Sequence, residues 1–192
     1  MIDYNIVDQA IKYYKHHYFR YLEVPWVVTP EIMNITRPLT ADPVLADTMV
    51  ASGEQSLLSE ILGGKIGYAQ YCCATPCYRP YDNQNDGIHF TQFFKVELME
   101  CAKTEPTRDK LRGFISFAKV FMDRYFPYGS LQIVETKDDL RFGCETLVSY
   151  DIQTKEGVEL GSYGIRRLFS RPDFYWMYGT GAAMPRLRVK NV

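Results

Sequence analysis

The segment GVELGSYGIR, residues 157–166, places an acid beside small residues and a cation. Glu159 is flanked by apolar residues in a pattern typical of a strand, where a carboxylate is costly without a partner. Magnesium bound to phosphates is one such partner, and an arginine is another. The segment therefore predicts either a metal and phosphate site or a buried ion pair between Glu159 and an arginine.

Small residues follow this acid at Gly161, Ser162 and Gly164. Their size would let a ligand approach the backbone closely. Arg166 comes two residues after Gly164, so the alternation of a strand places the two on one face. The segment thus offers an acid, a hydroxyl and a cation within a short stretch.

A second candidate is the predicted hairpin CYRPYDNQNDGIHFTQFFKVELME. Arg79 leaves the first strand, a polar loop follows, and the second strand carries aromatic residues and acids. A cation at the root of such a loop can bind a phosphate, and an aromatic residue on the returning strand can stack on a base. The alternative is an ordinary hairpin with a solvated arginine, since hairpins of this kind are common.

The third segment is YGTGAAMPRL, in which small residues lead to Arg186. A GxG pattern alone is weak evidence for a ligand site. Its meaning therefore depends on whether it lies beside the other two segments.

The hydrophobic pattern predicts the elements that must position these segments. Helices are expected over residues 3–22, 52–64 and 108–126, and residues 31–48 are expected to form a loop. The predicted strands are VPWVVTP, YAQYCCATPCYR, HFTQFFKVELMEC, LQIVET and LVSYDIQ. Because the strands cluster and do not alternate with helices, the pattern favours an antiparallel α+β fold.

The composition is that of a globular protein. The 192 residues suit one domain, and the net charge of −1 gives no overall basic field for nucleic acid. The sequence has neither an apolar run long enough for a membrane span nor an N-terminal signal pattern, so a cytoplasmic protein is expected. Cys72, Cys73 and Cys77 are expected to be buried thiols, with a zinc site as the less favoured alternative.

Taken in order, these motifs resemble the catalytic core of class II aminoacyl-tRNA synthetases and their paralogues. VVTP resembles the end of motif 1, YRP…HFTQFFKVELME resembles motif 2, and GTGAAMPRL resembles motif 3. SYDIQTKEGVELGSYGIR is similar to the strands before motif 3 in aspartyl and asparaginyl enzymes and in ammonia-dependent asparagine synthetase. The resemblance implies one catalytic domain over residues 1–192, an antiparallel β-sheet flanked by helices, with no anticodon-binding domain.

The resemblance also implies a site for ATP and Mg²⁺. Arg79 would hold the α-phosphate and Arg186 the γ-phosphate, while Glu159 would bind the metal; these three residues would be catalytic. Phe93 would stack on adenine. The remaining expected nucleotide contacts are His89, Ser162, Gly179 and Gly181.

The amino-acid substrate is expected at neighbouring positions. The segment SGEQS lies where the family has its specificity loop, Glu97 would bind the substrate ammonium, and Arg166 would lie beside the substrate. The full set of expected substrate contacts is Ser52, Glu54, Gln55, Lys95, Glu97, Gly161, Gly164 and Arg166.

The implied function is that of an AMP-forming ligase. It would activate an amino acid, with aspartate as the first candidate, or another small carboxylate, and pass the acyl group to ammonia, another small acceptor or a carrier. A homodimer through the first helix and the VVTP strand is expected.

Two other functions stay open. One is a non-catalytic paralogue that binds a ligand or regulates, favoured by Tyr81 where the family has an acid after its motif 2 arginine and by Pro185 in an expected helical turn. The other is a minimal tRNA-aminoacylating core, which the net charge of −1 does not favour.

Overall fold

The computed structural model of the chain describes residues 2–80, 90–127, 129–137 and 140–187. The helices within these ranges are α1 (Tyr4–His16), α2 (Pro30–Ile35), α3 (Gly53–Leu62) and α4 (Arg108–Met122), with a 3₁₀ turn at Asp123–Tyr125. The strands are β1 (Arg20–Tyr21), β2 (Val27–Val28), β3 (Thr48–Met49), β4 (Gln70–Tyr78), β5 (Gln92–Ala102), β6 (Leu131–Thr136), β7 (Cys144–Thr154), β8 (Glu159–Leu168) and β9 (Arg171–Met184).

Seven strands form one sheet in the order β1-β4-β5-β9-β8-β7-β6, and β2 pairs with β3 separately. Neighbours in the sheet are antiparallel except β1 and β4, which are parallel. The predicted antiparallel α+β fold is confirmed. The segments that resemble motifs 2 and 3 lie side by side, because β9 pairs with β5 on one edge and β8 on the other.

Two predicted elements differ from the structure near the N-terminus. The predicted strand VPWVVTP is β-structure only at Val27–Val28, and Pro30 begins α2 in place of ending a strand. Proline suits the first turn of a helix because its missing N–H has no partner there in any case. The predicted loop over residues 31–48 therefore contains most of a helix. The first helix ends at His16, not at residue 22, and Tyr18 adopts a φ of 69°.

Helices cover the two faces of the sheet unequally. Helices α1 and α4 pack on one face, where Tyr14 and Ile115 join a core cluster with Val96 and Leu98 of β5. Helix α3 packs on the other face, where its leucines meet Met99 of β5. Successive side chains of a strand point to opposite faces. Lys95 and Glu97 therefore lie on the face of α3.

Helix α3 begins with a capping box. The Ser52 side chain accepts a hydrogen bond from the Glu54 N–H, and the Gln55 side chain accepts one from the Ser52 N–H. Such reciprocal caps fix the entry of the chain into a helix. The segment SGEQS is thereby held in place against the sheet.

All five cysteines are free thiols in the described part of the chain, and all are buried. Burial raises the pKa of the Cys72 thiol to about 12. Within the ranges that the structure describes, no cluster of three or more histidine, cysteine or acidic residues could hold a metal ion. No helix in these ranges is both long and apolar enough to cross a bilayer.

Candidate active site

A cleft of about 890 Å³ opens on the sheet face beside α3. Ten of the residues expected from the sequence line it: Ser52, Glu54, Gln55, Arg79, Phe93, Lys95, Glu159, Ser162, Arg166 and Arg186. Five others do not line it: Glu97, Gly161, Gly164, Gly179 and Gly181. His89, Tyr81 and the polar loop between β4 and β5 lie outside the described residues.

Arg79 and Phe93 meet at the end of the β4–β5 pair. Cys77 is opposite Phe93 in the register, which puts Arg79 just beyond the ring. The Arg79 guanidinium carbon lies 5.0 Å from the centre of the Phe93 ring, and its Nε donates to the Ala51 carbonyl at 2.9 Å. The guanidinium thus covers one face of Phe93. A base would stack on the other face or displace Arg79.

Glu159 and Arg186 form an ion pair in the wall of the cleft. Arg186 Nη1 lies 3.1 Å from the Glu159 carboxylate and donates to its carbonyl at 3.2 Å. The Glu159 side chain is 42% exposed, so it is not the buried acid that its apolar neighbours suggested. It is the first residue of β8 and lines the cleft. The carboxylate is therefore accessible to a ligand.

The side-chain oxygens near Glu159 fit a magnesium ion bound together with phosphates. Magnesium in nucleotide sites is usually held by one or two carboxylates, while phosphates and water complete its shell. Asp151 and Ser162 are paired in register on β7 and β8, and both line the cleft with Glu159. A magnesium ion bound in this way needs only one or two carboxylates, so it does not require a cluster of three metal-ligating side chains.

Arg166 is held by a buried acid. Its Nη1 lies 2.7 Å from both carboxylate oxygens of Glu54, and Trp176 Nε1 donates to the same carboxylate at 2.7 Å. The Arg166 guanidinium carbon is 3.8 Å from the centre of the Tyr178 ring. Both charged side chains are about 5% exposed or less. The guanidinium that was expected to face a substrate thus binds a protein carboxylate in this structure.

Lys95 and Glu97 form a second buried pair, with Lys95 toward the cleft. The Lys95 Nζ lies 2.9 Å from Glu97 Oε2, which also accepts a hydrogen bond from the Ser52 hydroxyl. Glu97 is fully buried, and burial raises its pKa although Lys95 opposes the shift. Its Oε1 has no hydrogen-bond partner in the described part of the chain. A substrate ammonium would have to displace Lys95 to reach Glu97.

Comparison with solved structures finds three instructive matches. Seryl-tRNA synthetase from Pyrococcus horikoshii, complexed with ATP, is 14% identical with a TM-score of 0.71, over 97% of this chain and 50% of that one. Cytoplasmic serine-tRNA ligase from Naegleria fowleri, in complex with AMP, is 17% identical with a TM-score of 0.70. That match covers 94% of this chain and 46% of the ligase chain. Pyrrolysyl-tRNA synthetase from Desulfitobacterium hafniense is 13% identical with a TM-score of 0.69, and the match covers 95% of this chain and 66% of the synthetase chain.

The chain has the fold of a class II aminoacyl-tRNA synthetase catalytic core. It spans about half the length of the two seryl structures. No family model and no curated protein matches the sequence. The likeness to aspartyl and asparaginyl enzymes in the segment before motif 3 stays a prediction.

In this fold, the glycines expected at the ligand are packed against side chains. A Cβ on Gly179 would come 2.4 Å from the Tyr163 ring, and one on Gly181 would come 2.7 Å from Tyr14. Gly161 and Gly164 leave similar room for Thr180 and Tyr178. Packing alone therefore accounts for these glycines, and their contact with a ligand stays a prediction.

The structure also places in or beside the cleft residues that the sequence analysis missed. They are Arg37, Arg141, Asp151, Trp176 and Tyr178, of which all but the buried Trp176 line the cleft directly. Alternation along β7 could have identified Asp151, because Ser149 and Asp151 share a face. Arg37 has no such signal, since it lies in a segment without a hydrophobic period.

Proposed function

We propose that this protein activates the carboxyl group of an amino acid or another small carboxylate with ATP, forming an acyl-adenylate. The acyl group then passes to a small acceptor such as ammonia or an amine, or to a carrier. Aspartate is the first candidate substrate. We further propose that the protein works as a homodimer in the cytoplasm.

The observation that carries this proposal is that Arg79 and Arg186 both line one cleft. Arg79 directly follows β4 and Arg186 lies two residues beyond β9, yet both line the cavity together with Phe93 and Glu159. Such a set supplies two cations for a triphosphate, a ring for a base and an acid for a metal. The TM-scores of about 0.7 with ATP- and AMP-bound synthetases support the same reading of the cleft.

The reaction brings two anions together. A substrate carboxylate oxygen attacks the α-phosphorus of ATP, the bond from that phosphorus to the bridging oxygen breaks, and pyrophosphate leaves. Arg79 would offset the repulsion and stabilise the charge that develops on the α-phosphate. A bound Mg²⁺, held by Glu159, would supply further charge neutralisation on the phosphates. Positioning accounts for most of the remainder, so the protein needs no covalent nucleophile.

Amino-acid-dependent exchange of labelled pyrophosphate into ATP tests the proposal. Wild-type protein should catalyse exchange with at least one amino acid from a full panel. Arg79→Ala should lower exchange by about 100-fold or more, the loss typical when one charge-stabilising donor is removed. Arg112→Ala, on the exposed face of α4, is the control and should keep wild-type exchange. Normal exchange in a folded Arg79→Ala protein would exclude this mechanism.

A non-catalytic ligand-binding protein is the second candidate. It is favoured by the cations Arg166 and Lys95, which are already paired with Glu54 and Glu97. This candidate predicts ATP binding without exchange for every amino acid. A minimal tRNA-aminoacylating core would instead acylate added tRNA, with strongly salt-dependent RNA binding.

A further inference from the structure

Arg37 is a buried arginine in the wall of the cleft. The residue is only 8% exposed, yet it contributes to the cleft lining. Its Nε donates to Asn34 Oδ1 at 2.8 Å, and its Nη1 donates to the carbonyl oxygens of Pro38 and Ala41. The guanidinium is therefore fixed along one edge by neutral acceptors.

No carboxylate of the described residues forms an ion pair with Arg37. Its Nη2 likewise makes no hydrogen bond to any of those residues, so one side of the fork remains available. Buried cations are normally paired. The other buried cations of the cleft follow this rule, since Arg166 has Glu54 and Lys95 has Glu97. Arg37 differs from both in lacking an acidic partner within the same ranges.

The backbone around Arg37 is held by a second segment. Phe142 N–H donates to the Arg37 carbonyl at 3.0 Å, and Leu39 N–H donates to the Leu140 carbonyl at 2.9 Å. The Phe142 ring covers the Arg37 guanidinium, with its centre 4.9 Å from the guanidinium carbon. Arg141 in this segment also lines the cleft. A fixed guanidinium loses little conformational freedom when it binds an anion.

Arg37 and Arg79 are connected to the segment that begins α3 through different residues. Arg79 Nε donates to the Ala51 carbonyl, whereas Gln55 Nε2 donates at 3.0 Å to the hydroxyl of Thr36, the neighbour of Arg37. Arg79 thus contacts this segment at Ala51, whereas Arg37 is linked to it only through Thr36 and Gln55. A ligand group bound at Arg37 would therefore use a different guanidinium from a phosphate bound at Arg79.

We propose that Arg37 forms a second anion subsite in the cleft, which binds a carboxylate or phosphate group at the end of the substrate that is not activated. This proposal rests on the proposed function, because the substrate is the one activated by ATP. It assigns to Arg37 the contact with a second anionic group that Arg166, engaged by Glu54, does not offer in this structure. The available Nη2 would donate a charge-assisted hydrogen bond to the anion.

Calorimetry with L-aspartate, L-asparagine and inorganic phosphate tests the subsite. Aspartate and asparagine have nearly the same shape and differ in the charge of the side chain, so their comparison isolates that charge. Wild-type protein should bind aspartate about tenfold more tightly than asparagine, and Arg37→Gln should bind the two alike. Arg112→Gln is the matched control and should keep the wild-type difference.

The two sources of the anion give different results. If the subsite takes a phosphate, inorganic phosphate binds wild type and loses about tenfold in affinity with Arg37→Gln, while aspartate and asparagine bind alike. If neither aspartate nor phosphate distinguishes wild type from Arg37→Gln, the proposal is overturned. Should Arg37→Gln fail to fold, wild type decides alone: equal binding of aspartate and asparagine without phosphate binding overturns the subsite.

Measuring pyrophosphate exchange into ATP alongside anion binding separates this proposal from the proposed function. If exchange is absent with every amino acid but an Arg37-dependent anion still binds, the proposed function fails and the subsite stands. If exchange occurs and no anion depends on Arg37, the proposed function stands and the subsite falls.

Discussion

At the scale of the residue, the neighbours Arg166 and Arg167 show how environment sets the role of a charge. Arg166 points to the cleft face and is buried against Glu54, whereas Arg167 pairs with Glu145 where both side chains are about 40% exposed. A buried ion that loses its partner retains its desolvation cost. An exposed ion that loses its partner is simply hydrated.

Replacing the two acids should therefore have unequal effects on stability. Glu54→Gln leaves Arg166 buried beside a neutral amide and should lower the free energy of unfolding by about 3–5 kcal/mol. Glu145→Gln, next to the exposed Arg167, should change little. Urea denaturation followed by circular dichroism measures both, and equal losses in the two variants would contradict this account of Arg166.

The buried carboxyl of Glu97 should make stability depend on pH. Burial raises its pKa in the folded state above the ordinary 4.5, so the folded protein keeps a proton that the unfolded chain has lost. The charged or titratable groups around it are Lys95, Glu54, Cys73, Cys77 and Tyr163. The free energy of unfolding of wild type should thus fall, relative to Glu97→Gln, as the pH rises from 4.5 through the folded-state pKa.

Denaturation curves of wild type and Glu97→Gln, measured between about pH 4 and pH 8, test this linkage. The test is how the difference in the free energy of unfolding between the two proteins changes with pH. Its size at a single pH is not informative, because the variant removes the partner of Lys95 at every pH. Parallel profiles for the two proteins would show that the Glu97 pKa is not raised by folding.

At the scale of the element, β9 shows why small residues form a strand in the centre of the sheet. It lies between β5 and β8, and its glycines leave space that aromatic side chains of other elements fill. Tyr163 crosses above Gly179 and donates to the Thr180 carbonyl, and Tyr14 donates to the Gly181 carbonyl at 2.8 Å. The strand is thereby fixed to both β8 and α1.

Two glycine-to-alanine substitutions should have opposite effects on stability. Gly179→Ala forces a methyl group against the Tyr163 ring and should lower the free energy of unfolding by about 1–3 kcal/mol. Gly113→Ala, on the exposed side of α4 with nothing within 4 Å, should raise it by about 0.5–1 kcal/mol. Thermal or urea unfolding checks both, and a harmless Gly179→Ala would mean that the aromatic packing is loose.

At the scale of the whole molecule, the cleft exists because the helices cover the sheet unevenly. Helices α1 and α4 pack against one face, whereas α3 covers only part of the other. The uncovered part gathers charged residues from β5, β7 and β8 and from the segments that follow β4 and β9. The sheet thus acts as the common base on which the proposed phosphate contacts converge.

We expect the protein to be a homodimer through the first helix, α1, and the VVTP segment around β2. Tyr18, Trp26 and Val27 are all more than half exposed in the single chain, and covering apolar surface of this kind favours association. Light scattering at micromolar concentration should give twice the mass of one chain. Trp26→Asp should shift the protein to monomer, whereas Val120→Asp on α4 should not. A monomeric wild type under these conditions would rule out this interface.

The sequence by itself determined features that depend on neighbouring residues. The amphipathic period predicted α4, the polar loop predicted the β4–β5 pair, and the order of the motifs predicted the class II fold. It also identified Arg79, Arg186 and Glu159 as candidates. Each of these rests on short-range spacing or on the order of segments, which a sequence displays directly.

Only the tertiary structure decided which groups meet. The carboxylate that binds Arg166 comes from Glu54, 112 positions away, and the indole that binds the same acid is 122 positions from it. The partial exposure of Glu159 and the missing acidic partner of Arg37 among the described residues likewise follow from how distant segments pack. Burial and pairing depend on three-dimensional neighbours, and local periodicity carries no information about those.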